Sequence, residues 1–211
     1  MSPEVFDQLS AISTTLMSDT LDRLNGINGL KRFDNGGRLV GTALTVKTRP
    51  GDNLAIYRAL SFASPGQILV VDGGGAMDNA LVGGLLLDYA LQRKVRGFVI
   101  DGAIRDLAEF EARTDFGCFA RGVVHKGPYK DGPGRINVPV SIGGQVVADG
   151  DIIVGDEDGL LTFSATVIDD VLRNSKEREA AEARIREEIL TGTVEQSWIT
   201  AMMKTVGDRV R

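Results

Sequence analysis

Apolar positions along this chain change period several times, and each change marks an element. From residue 3 to 25 they recur at helical spacing, with Leu9, Ile12, Leu16, Leu21 and Leu24 among them, and Asn25-Gly26 supplies a stop. After the turn at Asn35-Gly36-Gly37, residues 39–47 alternate (Leu39, Gly41, Ala43, Thr45) as a half-buried strand does. A helix is predicted over 54–63, opened by Gly51-Asp52-Asn53 and ended by Pro65-Gly66. The continuous apolar run 67–71 reads as a buried strand. A helix over 80–92, a second buried strand over 97–100, a turn at Asp101-Gly102 and a helix over 106–112 complete the first half.

Beyond residue 117 the apolar runs shorten and glycine splits them: Cys118 to Ala120, Val138 to Ile142, Val146-Val147 and Ile152 to Val154. Gly143-Gly144 between two such runs is a hairpin signal. Residues 155–159, GDEDG, read as a turn between strands, and an acidic turn is also a place for a cation; residues 127–134 read as a loop. A highly charged helix is predicted over 167–190, broken at Thr191-Gly192, with a last amphipathic segment over 195–210. Alternating βα units followed by hairpins predict a mixed α/β fold. The expected division is one α/β domain over 1–166 and a C-terminal helical arm over 167–211, packing on its own or a neighbouring subunit.

Composition narrows the chemistry. With one cysteine (Cys118) and one histidine (His125), the 211 residues hold no disulfide framework and no Cys₄, Cys₂His₂ or multi-histidine zinc site. Any metal must therefore take mostly oxygen ligands, which points to hard cations. A formal charge of -5 argues against a nucleic-acid partner. No apolar run of eighteen residues is present, and MSPEVFDQL resembles no signal peptide, so no membrane partner and a cytoplasmic location are expected.

Four places carry candidate chemistry. Asp72-Gly73-Gly74-Gly75 follows a strand, but Asp78 fills the sixth place of a dinucleotide fingerprint, which favours a tight turn over a phosphate loop. Gly83-Gly84 is too costly for a helix interior, at about 1 kcal/mol per glycine relative to alanine. A helix starting there would present unpaired N–H groups to a carboxylate or phosphate; close helix–strand packing is the alternative. Arg105-Asp106 follows a buried strand, where α/β folds gather function. Arg105 can fork onto a carboxylate and Asp106 is a hard oxygen ligand, or the pair is a helix cap with a surface ion pair. His125 has no nucleophile partner at a recognised spacing, and Lys47 reads as an exposed strand exit rather than a Schiff-base lysine.

Five segments, TVKTRPGDNLAIYRAL, ILVVDGGG, VRGFVIDGAIRD, NVPVSIGG and VVADGDIIVGDEDGLL, occur in an order that resembles the RraA-like family, over about residues 14 to 190. That family includes the 4-hydroxy-4-methyl-2-oxoglutarate/4-carboxy-4-hydroxy-2-oxoadipate aldolases. The resemblance implies a three-layer β/β/α swivelling-domain fold with the C-terminal helical arm appended. It implies a homotrimer or homohexamer with active sites between subunits, and a lyase dependent on Mg²⁺ or Mn²⁺. Such an enzyme releases pyruvate from a 2-oxo acid by aldol cleavage, or decarboxylates oxaloacetate, through a pyruvate enolate. By the same resemblance Asp106 is the metal ligand, Arg105 the catalytic residue that holds the keto acid and neutralises the enolate, and Gly83, Gly84, Leu85 and Leu86 the backbone cradle of the substrate carboxylate.

The chain departs from the family at one point. The aldolases carry an acid, twenty intervening residues, then Arg-Asp; counting back from Arg105 lands on Gly84. Asp88 lies one turn on but points elsewhere on a regular helix, and Glu179 or Glu182 from another subunit's charged helix is the carboxylate the sequence offers in its place. Other readings of the same resemblance are a lyase whose substrate lacks the 4-hydroxyl, and a non-catalytic regulator that binds RNA-degradation proteins.

Overall fold

The computed structural model describes residues 1–195 and 197–206. Helices α1 (Pro3–Ala11) and α2 (Thr14–Thr20) lead into short strands β1 (Gly26–Ile27) and β2 (Lys31–Arg32). Then come β3 (Leu39–Thr48), α3 (Leu54–Leu60), β4 (Gln67–Asp72), β5 (Ala80–Val82), α4 (Gly84–Gln92), β6 (Gly97–Ile104) and α5 (Leu107–Glu111). The second half contains β7 (Gly117–Val123), β8 (Gly134–Ile136), β9 (Val140–Ile142), β10 (Gln145–Val147), β11 (Ile152–Asp156), β12 (Gly159–Phe163), α6 (Ile168–Thr191) and α7 (Ser197–Val206).

One mixed sheet runs β1-β12-β11-β3-β4-β6-β7-β2, with β5 paired to β6 and β8 to β3. Its centre, β3, β4, β6 and β7, is parallel, and β11 and β12 extend it antiparallel. Period-two alternation sends Leu69, Val71, Phe98 and Ile100 to one face, where Ile56, Leu60, Leu86 and Leu87 of α3 and α4 cover them. Ile68, Val70 and Val99 point to the other face, covered by Val140, Ile142 and Val147 of the β9–β10 hairpin. Hairpin, sheet and helices are the three layers, as the family resemblance implies. A third cluster at the β11–β12 edge gathers Leu9, Met17, Val40, Ile152 and Phe163 with Val171 and Leu172 of α6. The rest of α6 runs mostly exposed beyond the Arg178–Asp19 ion pair, 2.9 Å.

Four expectations change. The helix expected over 3–25 is two helices, because Ser13 caps α2, accepting from Leu16 N–H at 3.3 Å. The acidic turn of GDEDG holds that helix rather than a cation: buried Asp156 accepts from Thr14 N–H at 2.9 Å and Thr14 Oγ1 at 2.6 Å. Strand β3 is buried on both faces, since it lies mid-sheet under the hairpin and α3. Residues 80–82 are strand, with the helix starting only at Gly84. Of the last amphipathic segment, residues 196 and 207–210 lie outside the described residues.

Asp52 fastens the loop that lies over α3. Its carboxylate accepts from the N–H groups of Leu54, Asp131 and Gly132 at 2.7–2.9 Å and pairs with Arg49 at 3.1 Å. Burial alone would push this carboxyl up, but the three N–H donors and Arg49 together bring it below its ordinary value of 3.8. The stabilisation is therefore complete above that value and is lost as the pH falls through the lowered one. Asp52→Asn is expected to cost about 2 kcal/mol at pH 7 by urea unfolding, as for hydrogen bonds to a charged group. The gap to wild type should narrow as the pH drops below about 4.

Candidate functional site

The β5–β6 pairing builds the site. Ala80 and Val82 lie opposite Ala103 and Ile104, and Arg105 N–H donates to Val82 O at 3.0 Å. The two chains leave the sheet side by side, so Gly83-Gly84 at the start of α4 meets Arg105-Asp106 after β6. Twenty residues separate Gly84 from Arg105 because one helix, one turn and one strand fill that interval. Motif members far apart in sequence are thus neighbours in space, at the carboxyl ends of parallel strands.

Neither glycine is there for its backbone angles. Gly83 is extended, at φ -162° and ψ -167°, and Gly84 is the first helical residue. Space is the reason: a Cβ on Gly83 would stand 2.5 Å from Asp106 Oδ2 and 2.8 Å from Arg105 Cγ. Gly84 N–H donates to Asp106 Oδ2 at 3.0 Å, so a carboxylate already sits on the positive end of α4. Leu86 N–H bonds to Gly83 O at 3.0 Å within the first turn. The cradle expected from Gly83 to Leu86 is consequently narrower: Leu86 N–H is directed into the helix, and Leu85 N–H flanks Gly84 N–H at the open end.

Asp106 occupies the left-handed region, φ 58° and ψ 44°, and makes no side-chain cap to α5. Asp106 is the N-cap residue of α5 by position and pairs with Arg105 as the helix-cap alternative expects, but its carboxylate turns to α4 instead of capping α5. The conformation costs most residues about 1–2 kcal/mol, and asparagine and aspartate least among those with a side chain. Arg105 Nε lies 3.5 Å from Asp106 Oδ2, and its guanidinium runs over Gly127, whose added Cβ would stand 2.7 Å from Nη1. Asn79 Nδ2, donating to Gly127 O at 2.5 Å, and Ala80 N–H, donating to Lys126 O at 2.8 Å, tether that loop. His125 is exposed on the same loop.

The neighbouring strand ends carry balanced charge. Lys47, Asp72 and Asp101 are in register across β3, β4 and β6. Lys47 Nζ is 3.3 Å from Asp72, and Arg121 Nε donates to Asp101 Oδ1 at 2.5 Å. Lys47 is an exposed, ion-paired amine, without the desolvation a Schiff-base lysine requires. Asp72 also accepts from Gly74 N–H at 3.1 Å, so the triple-glycine segment is a tight turn. Cys118 is fully buried, and burial first, then Asp34, pushes its thiol up; it is inert packing.

Sequence reading missed Glu109. It stands in the first turn of α5, three residues after the left-handed Asp106 that precedes the helix. A Cβ on Gly84 would run into its carboxylate. Asp88 is not among the three atoms nearest to a Cβ on Gly84. A groove of about 790 Å³ between Lys47, Arg49 and Arg135 includes none of Arg105, Asp106 and Glu109. The candidate site is open: the Arg105 and Asp106 side chains are 37 % and 41 % exposed.

The RraA-like family, described as Aldolase/RraA, matches residues 4–162. The chain belongs to the RraA-like family. A Halalkalibacterium halodurans member named "Putative 4-hydroxy-4-methyl-2-oxoglutarate aldolase" is 40 % identical over 181 residues, covering 85 % of this chain and 86 % of its own. A Thermus thermophilus member named 4-hydroxy-4-methyl-2-oxoglutarate aldolase is 35 % identical over 131 residues, covering 62 % and 79 %. Among solved structures, the RNA-processing inhibitor RraA from Thermus thermophilus matches with a TM-score of 0.66 and 33 % identity, covering 72 % of this chain and 92 % of its own. Streptomyces coelicolor RraAS2 matches at 0.80, with 23 % identity, and shows the shared fold.

The left-handed backbone at Asp106 sets a stability test. Asp106→Ala is expected to lower unfolding free energy by about 1 kcal/mol, whereas Asp106→Gly and Asp106→Asn fit the backbone and should cost less. Urea titration of the three variants checks the order.

Proposed function

We propose that the protein is a divalent-cation-dependent lyase acting on 2-oxo acids, releasing pyruvate by retro-aldol cleavage or by decarboxylation of oxaloacetate. The observation that supports this reading is the convergence of Arg105, Asp106 and the start of α4 through the β5–β6 register. The aldolase names of its relatives favour the same chemistry.

The donor set fits a hard cation. No three His, Cys, Asp or Glu side chains gather as a metal cluster among the described residues. Mg²⁺ or Mn²⁺ would therefore be held by Asp106, with water and substrate oxygens as the other ligands, an arrangement Mg²⁺ tolerates. When bound, the cation supplies Lewis-acid polarisation of the keto group. Arg105 orients the substrate carboxylate bidentately and meets the negative charge that develops on the enolate oxygen. Leu85 N–H and the positive end of α4 add attraction for the same anion. The openness of the site on one chain accords with closure by a second subunit in a homotrimer or homohexamer.

A second reading has its own support: 33 % identity to an RNA-processing inhibitor, over 92 % of that chain, favours a regulator that binds RNA-degradation proteins. A keto-acid assay separates the two. With Mg²⁺ or Mn²⁺, pyruvate release from oxaloacetate or 4-hydroxy-4-methyl-2-oxoglutarate is expected, abolished by EDTA and restored by either cation. Arg105→Ala should lower kcat/KM about 10²–10³-fold, the usual cost of removing a group that stabilises developing negative charge. Turnover unchanged in that variant contradicts the lyase reading.

A further inference from the structure

At the mouth of the site one side chain is missing and another fills its place. Gly84 has ordinary helical backbone, so its φ would accept any residue. What excludes a side chain is the Glu109 carboxylate: a Cβ on Gly84 would contact Oε2 and stand 2.5 Å from both Cδ and Oε1. No other atom is among the three nearest neighbours. The obstacle is the far end of a flexible side chain, not the fold.

In the first turn of α5 Glu109 meets the positive end of that helix, a role that does not by itself require its carboxylate to lie against Gly84. Its carboxylate makes no hydrogen bond or ion pair among the described residues, while that of Asp106, just ahead of α5, is held by Gly84 N–H. It is exposed, so substrate and solvent reach it. Two carboxylates thus flank the start of α4, one anchored and one unengaged.

We propose that Glu109 is the proton-handling carboxylate of the lyase, standing in the space that Gly84 leaves empty. This rests on the lyase reading above. With a 2-oxo acid bearing a hydroxyl at C4, the Glu109 carboxylate takes the hydroxyl proton. The O–H pair becomes the second bond of a new C4 carbonyl, the C3–C4 bond breaks, and its pair becomes the enolate of pyruvate. Protonated Glu109 returns the proton to C3, which yields pyruvate and restores the carboxylate. One substrate gives pyruvate and one carbonyl fragment, with no external oxidant or reductant. Decarboxylation has no hydroxyl to deprotonate and leans less on this residue.

A carboxylate swap tests the assignment. Glu109→Gln should lower kcat for retro-aldol cleavage of 4-hydroxy-4-methyl-2-oxoglutarate about 100-fold, within the range of general acid–base catalysis, with KM changed less than about threefold. Oxaloacetate decarboxylation should fall by much less, so the ratio of the two activities shifts. Gly84→Ala retains Glu109 but displaces it, and should lower retro-aldol turnover about tenfold or more without lowering stability. Gly84→Asp combined with Glu109→Ala places a carboxylate on the opposite side of the same gap. It should recover about tenfold or more over Glu109→Ala alone. Oxalate affinity by calorimetry, with Mn²⁺ present, should stay within about threefold of wild type in Glu109→Gln, separating proton handling from binding. A Glu109→Gln protein with wild-type retro-aldol kcat, or a double variant no better than Glu109→Ala, overturns the assignment and leaves the lyase reading intact. A wild-type protein inert on every 2-oxo acid overturns both.

Discussion

The parallel pairing of Ala80–Val82 with Ala103–Ile104 is the constraint on which the candidate site depends. β5 has three residues and hangs beside the main sheet, yet it fixes where α4 begins relative to the end of β6. Because Arg105 N–H is held by Val82 O, the next residues of both chains are adjacent without freedom to slide. The pairing shifts register between Ala80 and Val82, and that shift sets Val82 opposite Ile104, with its carbonyl on Arg105 N–H. Register, rather than any one contact in the site, brings the guanidinium, the carboxylate and the helix start together.

Around that register the structure accepts local costs. Asp106 holds a left-handed backbone, and Gly83 and Gly84 give up side chains. Strain and bare backbone at the end of a central strand, next to charges left a third or more exposed, are features that collect at functional sites. Nearby, the Lys47–Asp72 and Asp101–Arg121 pairs neutralise buried carboxylates at the strand ends. The unengaged Glu109 stands out against that background of paired charge.

The scaffold is shared by proteins with different names: aldolases among its relatives by sequence, and an RNA-processing inhibitor among its structural neighbours. Fold alone therefore does not select the function, and the side chains at the C-terminal ends of the parallel strands must carry that argument.

Local pattern was enough for most elements. The buried strands at 67–71 and 97–100, the hairpin at Gly143-Gly144 and the long charged helix follow from periodicity and turn chemistry, which are properties of neighbouring residues. The pairing of Arg105 with Asp106 and the helix start near Gly83 were legible for the same reason. Other features escaped because their causes lie far away in sequence. Ser13 splits the first helix where Asp156, 142 residues from Thr14, fastens the second half of it. Residues 80–82 become strand only because β6 offers an edge to pair with. The place of Glu109 was not legible, since nothing in its sequence neighbours reveals that its carboxylate lies against the bare backbone of Gly84. By itself the sequence determined which residues carry charge and where most of the helices and buried strands lie. Tertiary structure decided which carboxylate fills the gap at Gly84, because that depends on how α4 and α5 face each other across the end of β6.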